Sequence, residues 1–146
     1  MSSGDDTPLL FSSPARVRKG ELREFLADLT QRVTRGRAIS CLIADDAELR
    51  RLNKTFRKKD YATDVLSFPS LDKSSAGDLA ISIDRARAQA AEQRHSLEME
   101  LRILMLHGAL HLAGMDHETD EGEMARAEMR WRKRLDLPTG LIERTK

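Results

Sequence analysis

Three of the four histidines fall within one run of eleven residues, His107-Gly108-Ala109-Leu110-His111-Leu112-Ala113-Gly114-Met115-Asp116-His117. If the run is helical as far as Ala113, His107 and His111 are separated by about 40° around the axis and about 6 Å along it, so their rings can meet at one ion. Gly114 is the residue type that most easily adopts the left-handed conformation ending a helix, which would turn the chain and bring His117 toward the same point. Three neutral imidazoles are the ligand set of a catalytic zinc that keeps its fourth position for water. Single histidines are mostly surface or core residues, but three in this register predict a metal site on His107, His111 and His117.

The spacing His-x-x-x-His-x-x-Gly-x-x-His is also that of the metzincin proteases, with one difference. Their helix carries glutamate after the first histidine, as the general base of peptide hydrolysis, where this chain carries Gly108. Protease chemistry therefore loses its base while the metal cage survives. Asp64, Asp116 and Glu118 are the nearest carboxylates by pattern that could replace it; each also reads as a cap or turn residue, and Asp116 equally as an orienter of a ligand histidine.

The elements that must position these residues follow from periodicity. Leu101, Ile103, Leu104, Met105, Leu106, Ala109, Leu110 and Leu112 make a helix apolar nearly all round, capped by Ser96, which predicts that the metal site stands on a buried central helix. Leu9 to Phe11 suits a short first strand, residues 21–36 an amphipathic helix ending at Gly36, and Ala38 to Ala44 a strand with Ile39, Cys41 and Ile43 on one side. Cys41 then reads as core rather than ligand. Asp45 and Glu48 have capping-box spacing before a helix whose apolar face is Leu49, Leu52 and Phe56. Residues 63–68 and 77–83 read as two strands able to pair as a hairpin across an eight-residue polar link. Asp84 is the expected cap of an Ala-rich helix to Arg94, where His95 would interact with the helix dipole rather than bind metal. Thr119 or Asp120 would cap a last helix built on Met124, Ala127, Trp131 and Leu135, its charged residues, Glu128 and Arg132 among them, reading as solvated surface.

A chain of 146 residues is long enough for one core, so one domain is expected over 1–146, with 1–7 short, polar and disordered. The 25 basic and 24 acidic residues nearly cancel, so any nucleic-acid surface must be local. The densest basic cluster is Arg50, Arg51, Lys54, Arg57, Lys58 and Lys59; singly these are helix-surface residues, and together they make a phosphate-contacting patch. Only Trp131, Tyr61 and four phenylalanines are aromatic, which argues against a base-stacking platform. One cysteine, an acidic rather than basic N-terminus and an apolar stretch too short to span a bilayer suit a soluble protein of a reducing, cytoplasmic compartment.

With these pieces in order, the sequence resembles the YbeY family of bacterial rRNA maturation factors, described as metal-dependent endoribonucleases. The resemblance rests on Asn53-x-x-Phe56-Arg57-x-x-Asp60-x-x-Thr63-Asp64-Val65-Leu66-Ser67-Phe68-Pro69, on Gly77-Asp78-Leu79-Ala80-Ile81-Ser82 and on His107 to His117. The link from Pro69 to Ala76 departs from it in being shorter and less acidic. The resemblance implies an α+β domain with a mixed sheet of about four strands packed with about five helices, one zinc or other divalent transition metal on His107, His111 and His117, and a cleft placing Arg57 opposite the metal. It further implies single-stranded RNA or an rRNA precursor as substrate, cut in ribosome maturation with the ribosome or its proteins as partners, and neither membrane nor DNA. Arg57 would stabilise charge on the phosphate while Lys58 and Lys59 hold its neighbours. The alternative is a metal-stabilised assembly factor that does not cut, which needs a fourth protein ligand drawn from His95, Asp116 or Cys41.

Overall fold

The structure, a computed structural model, describes residues 9–61, 63–115 and 122–138. The expected disorder of 1–7, the caps Thr119 and Asp120, and His117 with Asp116 and Glu118 lie outside the described residues. Four strands and five helices follow in the order β1 (Leu9–Phe11), α1 (Lys19–Arg32), β2 (Ala38–Ala44), α2 (Asp46–Arg57), β3 (Val65–Pro69), β4 (Ser75–Ser82), α3 (Ile83–Gln93), α4 (Leu97–Leu112) and α5 (Glu123–Arg134).

The strands form one mixed sheet in the order β1-β2-β4-β3, with β1, β2 and β4 parallel and β3 antiparallel to β4. Alternation sorts its two faces. Ile39, Cys41, Ile43, Leu79 and Ile81 enter the main core with α1, α3, α4 and α5. Leu42, Ala44, Leu66, Phe68 and Ala80 turn the other way, onto Leu49 and Leu52 of α2. Helix α4 is therefore central, packed against β3 and β4 on one side and against α1, α3 and α5 on the others. Its residues Leu101, Met105, Leu106 and Ala109 have no exposed surface.

Three sequence expectations change in detail. Ser82, not Asp84, caps α3 by accepting from the Arg85 N–H; Asp84 instead accepts from the Asp46 N–H at 2.8 Å and so steadies the start of α2. The hairpin link is shorter than expected because β4 begins at Ser75, two residues before Gly77. Phe56 does not continue the buried face of α2: Leu49 is fully buried, but Phe56 is 65% exposed, with its ring against Phe68 of the edge strand β3.

Candidate active site

Helix α4 holds the two described histidines rigidly because both of its ends are fixed. The Ser96 side chain accepts from the Met99 N–H at its start. At its end Gly114 takes a φ of +102°, and the Met115 N–H returns to the Leu110 carbonyl at 3.1 Å. The turn expected at Gly114 is therefore present, and it launches the segment that leads to His117.

His107 and His111 come together as their spacing predicts. Their ring centroids lie 4.9 Å apart with the planes at 72°, and both side chains are partly exposed on a stretch of α4 whose other residues from Ile103 to Leu112 are buried. Among the described residues no three His, Cys, Asp or Glu side chains cluster as a metal site, since the third expected ligand lies outside them.

Helix α5 adds what sequence reasoning missed. The Nδ1 of His107 lies 2.9 Å from Oε1 of Glu128, so the ring donates its Nδ1 proton in a hydrogen bond to a carboxylate that fixes its orientation. The other oxygen, Oε2, accepts from Arg132 Nη2, and Arg132 Nη1 donates to the Pro138 carbonyl at 3.2 Å. Glu128 and Arg132 are buried, not solvated as expected of charged residues on this helix. Burial pushes the Glu128 carboxyl up, but the hydrogen bond and charge of His107 and then the charge and bond of Arg132 outweigh it. The pKa falls below the usual carboxylate value. A signal was present in the sequence: Glu128 stands four residues after Met124, on the apolar stripe itself. Two imidazoles one turn apart, one gripped from behind by a buried carboxylate, fit a transition metal by donor chemistry.

Gly108 faces the sheet rather than the histidines. A Cβ placed there would lie 2.6 Å from Leu79 Cδ2 and 3.0 Å from Cδ1, so a bare backbone lets α4 sit close on β4. A glutamate at this position would point into the core.

Arg57, the last residue of α2, reaches the outer edge of β3. Its Nη2 donates to the Ser67 carbonyl, and its guanidinium carbon lies 5.6 Å from the centre of the Phe68 ring. Ser67 in turn points its hydroxyl at the Gly108 carbonyl, 3.5 Å away on α4. Arg57 thus approaches from the α2 face and the histidines from the α4 face, with β3 between them. Lys58 and Lys59 follow, both exposed, Lys58 closing α2 in the left-handed conformation at φ +59°. Asn53, buried, donates to the Tyr61 carbonyl at 2.9 Å and folds this basic loop back against the helix. Asp64 accepts from Gln89 at 3.3 Å beside the start of β3.

The two remaining candidates are structural. His95 Nε2 lies 2.7 Å from Oε1 of the fully buried Glu100, an ion-pair geometry where a dipole contact was expected; Glu100 stands about 10 Å along α4 from His107. Cys41 is in the main core, and burial pushes its thiol up to about 12.

Comparison with known proteins places the chain in a family. The family described as Endoribonuclease YbeY matches residues 15–136. The chain belongs to the YbeY family. The endoribonuclease YbeY of Solibacter usitatus is 57% identical over 145 residues, covering 99% of this chain and 98% of that protein. The YbeY of Koribacter versatilis is 57% identical over 107 residues, 73% of this chain and 70% of that one. Among solved structures, the solution structure of TM1509 from Thermotoga maritima is similar with a TM-score of 0.61 at 26% identity, covering 86% of this chain and 91% of that one. The mixed four-stranded sheet with five helices is therefore a YbeY-like fold.

Proposed function

We propose that this protein is a metal-dependent endoribonuclease that cuts single-stranded RNA. Its substrates would be precursors of ribosomal RNA in the cytoplasm, its partners the ribosome or ribosomal proteins. Membership of the YbeY family supports the reaction class, and no helix among the described residues is long and apolar enough to cross a membrane. The observation that carries the metal site is the buried Glu128 holding Nδ1 of His107 beside the His111 ring.

His107, His111 and His117 would hold one divalent transition metal, with zinc the first candidate. When bound, it supplies Lewis acidity at a phosphoryl oxygen and lowers the pKa of an attacking water. Glu128 fixes the His107 tautomer and ring plane. Arg57 presents a permanent charge at the β3 edge, where it would stabilise negative charge developing on the phosphate. Lys58 and Lys59 would hold the flanking phosphates. Because Gly108 leaves no carboxylate in the zincin position, Asp64, Asp116 and Glu118 remain the candidate proton acceptors.

Metal analysis of the purified protein together with RNA cleavage, with and without chelator, tests the proposal. The folded His111→Ala variant is expected to lose metal and cleavage together; undiminished cleavage would reject the metal site. Arg57→Ala is expected to lower turnover more than RNA affinity, whereas equal losses would make Arg57 a phosphate anchor. Metal bound by the parent without any cleavage would favour the non-cutting assembly factor.

A further inference from the structure

Phe56 is an anomaly of α2. A phenylalanine in register with Leu49 and Leu52 belongs in the core, and burying it would be the ordinary outcome. Instead 65% of it is exposed. The ring leans on Phe68, with centroids 5.6 Å apart and planes at 67°. The Arg57 guanidinium lies 5.6 Å from the same Phe68 ring, so an exposed aromatic and a phosphate-binding cation share one support. Lys58 and Lys59 follow at once, and Tyr61 is 53% exposed at the far side of the loop. The acids of this stretch are drawn aside, Asp60 onto Arg50 at 2.7 Å and Glu48 onto Arg51 at 2.7 Å, which leaves the end of α2 positive.

An exposed ring beside such a cluster matches the chemistry of an unpaired nucleotide, which offers a π-face and a phosphate together; a duplex keeps its base faces stacked inside. We propose that Phe56 is a base-stacking residue, receiving an unpaired base of the RNA whose phosphate is held by Arg57. This rests on the nuclease reading and deepens it. The low aromatic content argues against a stacking platform, yet three of the six aromatic side chains, Phe56, Phe68 and Tyr61, belong to this corner. Phe56 would set the preference for single strands; Arg57 and the lysines, indifferent to base, would set affinity and its salt dependence.

The test uses the full-length protein and short 2′-O-methyl oligoribonucleotides, each with one base replaced by 2-aminopurine or by an abasic site. The parent is expected to quench 2-aminopurine at one position and to bind the oligonucleotide that is abasic there about 10-fold more weakly. Phe56→Leu should bind the intact oligonucleotide about 10-fold more weakly, lose nothing further on the abasic one, and leave the melting temperature nearly unchanged, while Phe56→Trp should bind as the parent does. Equal affinity of Phe56→Leu and parent for the intact strand, or equal losses on every oligonucleotide without rescue by Trp, would overturn the stacking role while leaving the nuclease reading intact. A parent that binds no oligonucleotide would overturn both.

Discussion

Glu128 is the residue whose replacement separates the site from the scaffold that holds it. It bonds His107 through one oxygen and Arg132 through the other, and both charged partners of the buried pair lie below a tenth exposed. Glu128→Gln keeps the shape and one acceptor but removes the charge. Arg132 is then buried without its carboxylate, a loss of the kind that costs about 3–5 kcal/mol. The His107 ring loses its anionic acceptor, and comparable losses behind metal-bound histidines weaken metal affinity by about 10–100-fold. Adding Arg132→Met removes the stranded charge and should recover most of the stability, because two matched apolar or neutral groups replace an ion pair. It should not recover metal affinity, since His107 still lacks its carboxylate.

Urea unfolding of chelator-treated protein reads the first quantity without the contribution of bound metal, and competition with a zinc chelator reads the second. Zinc bound by Glu128→Gln as tightly as by the parent would leave Glu128 a purely structural ion-pair partner. A double variant as unstable as the single one would place the cost somewhere other than Arg132.

Gly108→Ala sets a helix-propensity gain of about 1 kcal/mol against overpacking on Leu79 of about 1–3 kcal/mol, so it should be neutral to destabilising in the parent but stabilising in a Leu79→Val background; stabilisation in both by urea unfolding would show that this contact does not set the helix–sheet distance. Cys41, raised from 9.0 to about 12, stays protonated in the folded protein while the unfolded chain ionises, so stability is fully present below pH 9 and should fall by about 1.4 kcal/mol per pH unit above it. Cys41→Ala should lack that increment of slope between pH 9.5 and 10.5, and in the parent a thiol reagent at pH 8.5 should label Cys41 only on unfolding.

What could be read from the sequence was whatever local chemistry decides. β2 runs over the residues its alternation marks, α2 and α4 begin where Asp45 and Ser96 can cap them, and Gly114 ends α4 because a left-handed turn is needed there. The strand order β1-β2-β4-β3 depends on pairings between distant segments that no periodicity reports; local pattern gave the hairpin of β3 and β4, and the resemblance implied a mixed sheet of about four strands without its order. Side chains whose environment distant contacts decide were misread for the same reason. Phe56 has the right phase for the core, but at the edge strand only the Phe68 ring meets it; Glu128 and Arg132 have the composition of a surface, but α5 buries both and brings Glu128 onto His107 of α4. Tertiary context overrides composition most strongly where polar groups serve one another.

Gly108 connects the two halves of the site. In a zincin the residue after the first histidine faces substrate; here it faces Leu79, because α4 is pressed onto the sheet along that side. The same close approach brings the Gly108 carbonyl within 3.5 Å of the Ser67 hydroxyl, while the Ser67 carbonyl on the outer edge of β3 receives Arg57. A larger residue at 108 would press on Leu79 of β4 and lift α4 from the sheet. The missing side chain is therefore what lets the helix that carries His107 and His111 approach the sheet closely enough for the Ser67 contact. The packing distance between α4 and the sheet, set by Gly108 against Leu79, is thus what couples the helix of His107 and His111 to the strand that Arg57 holds.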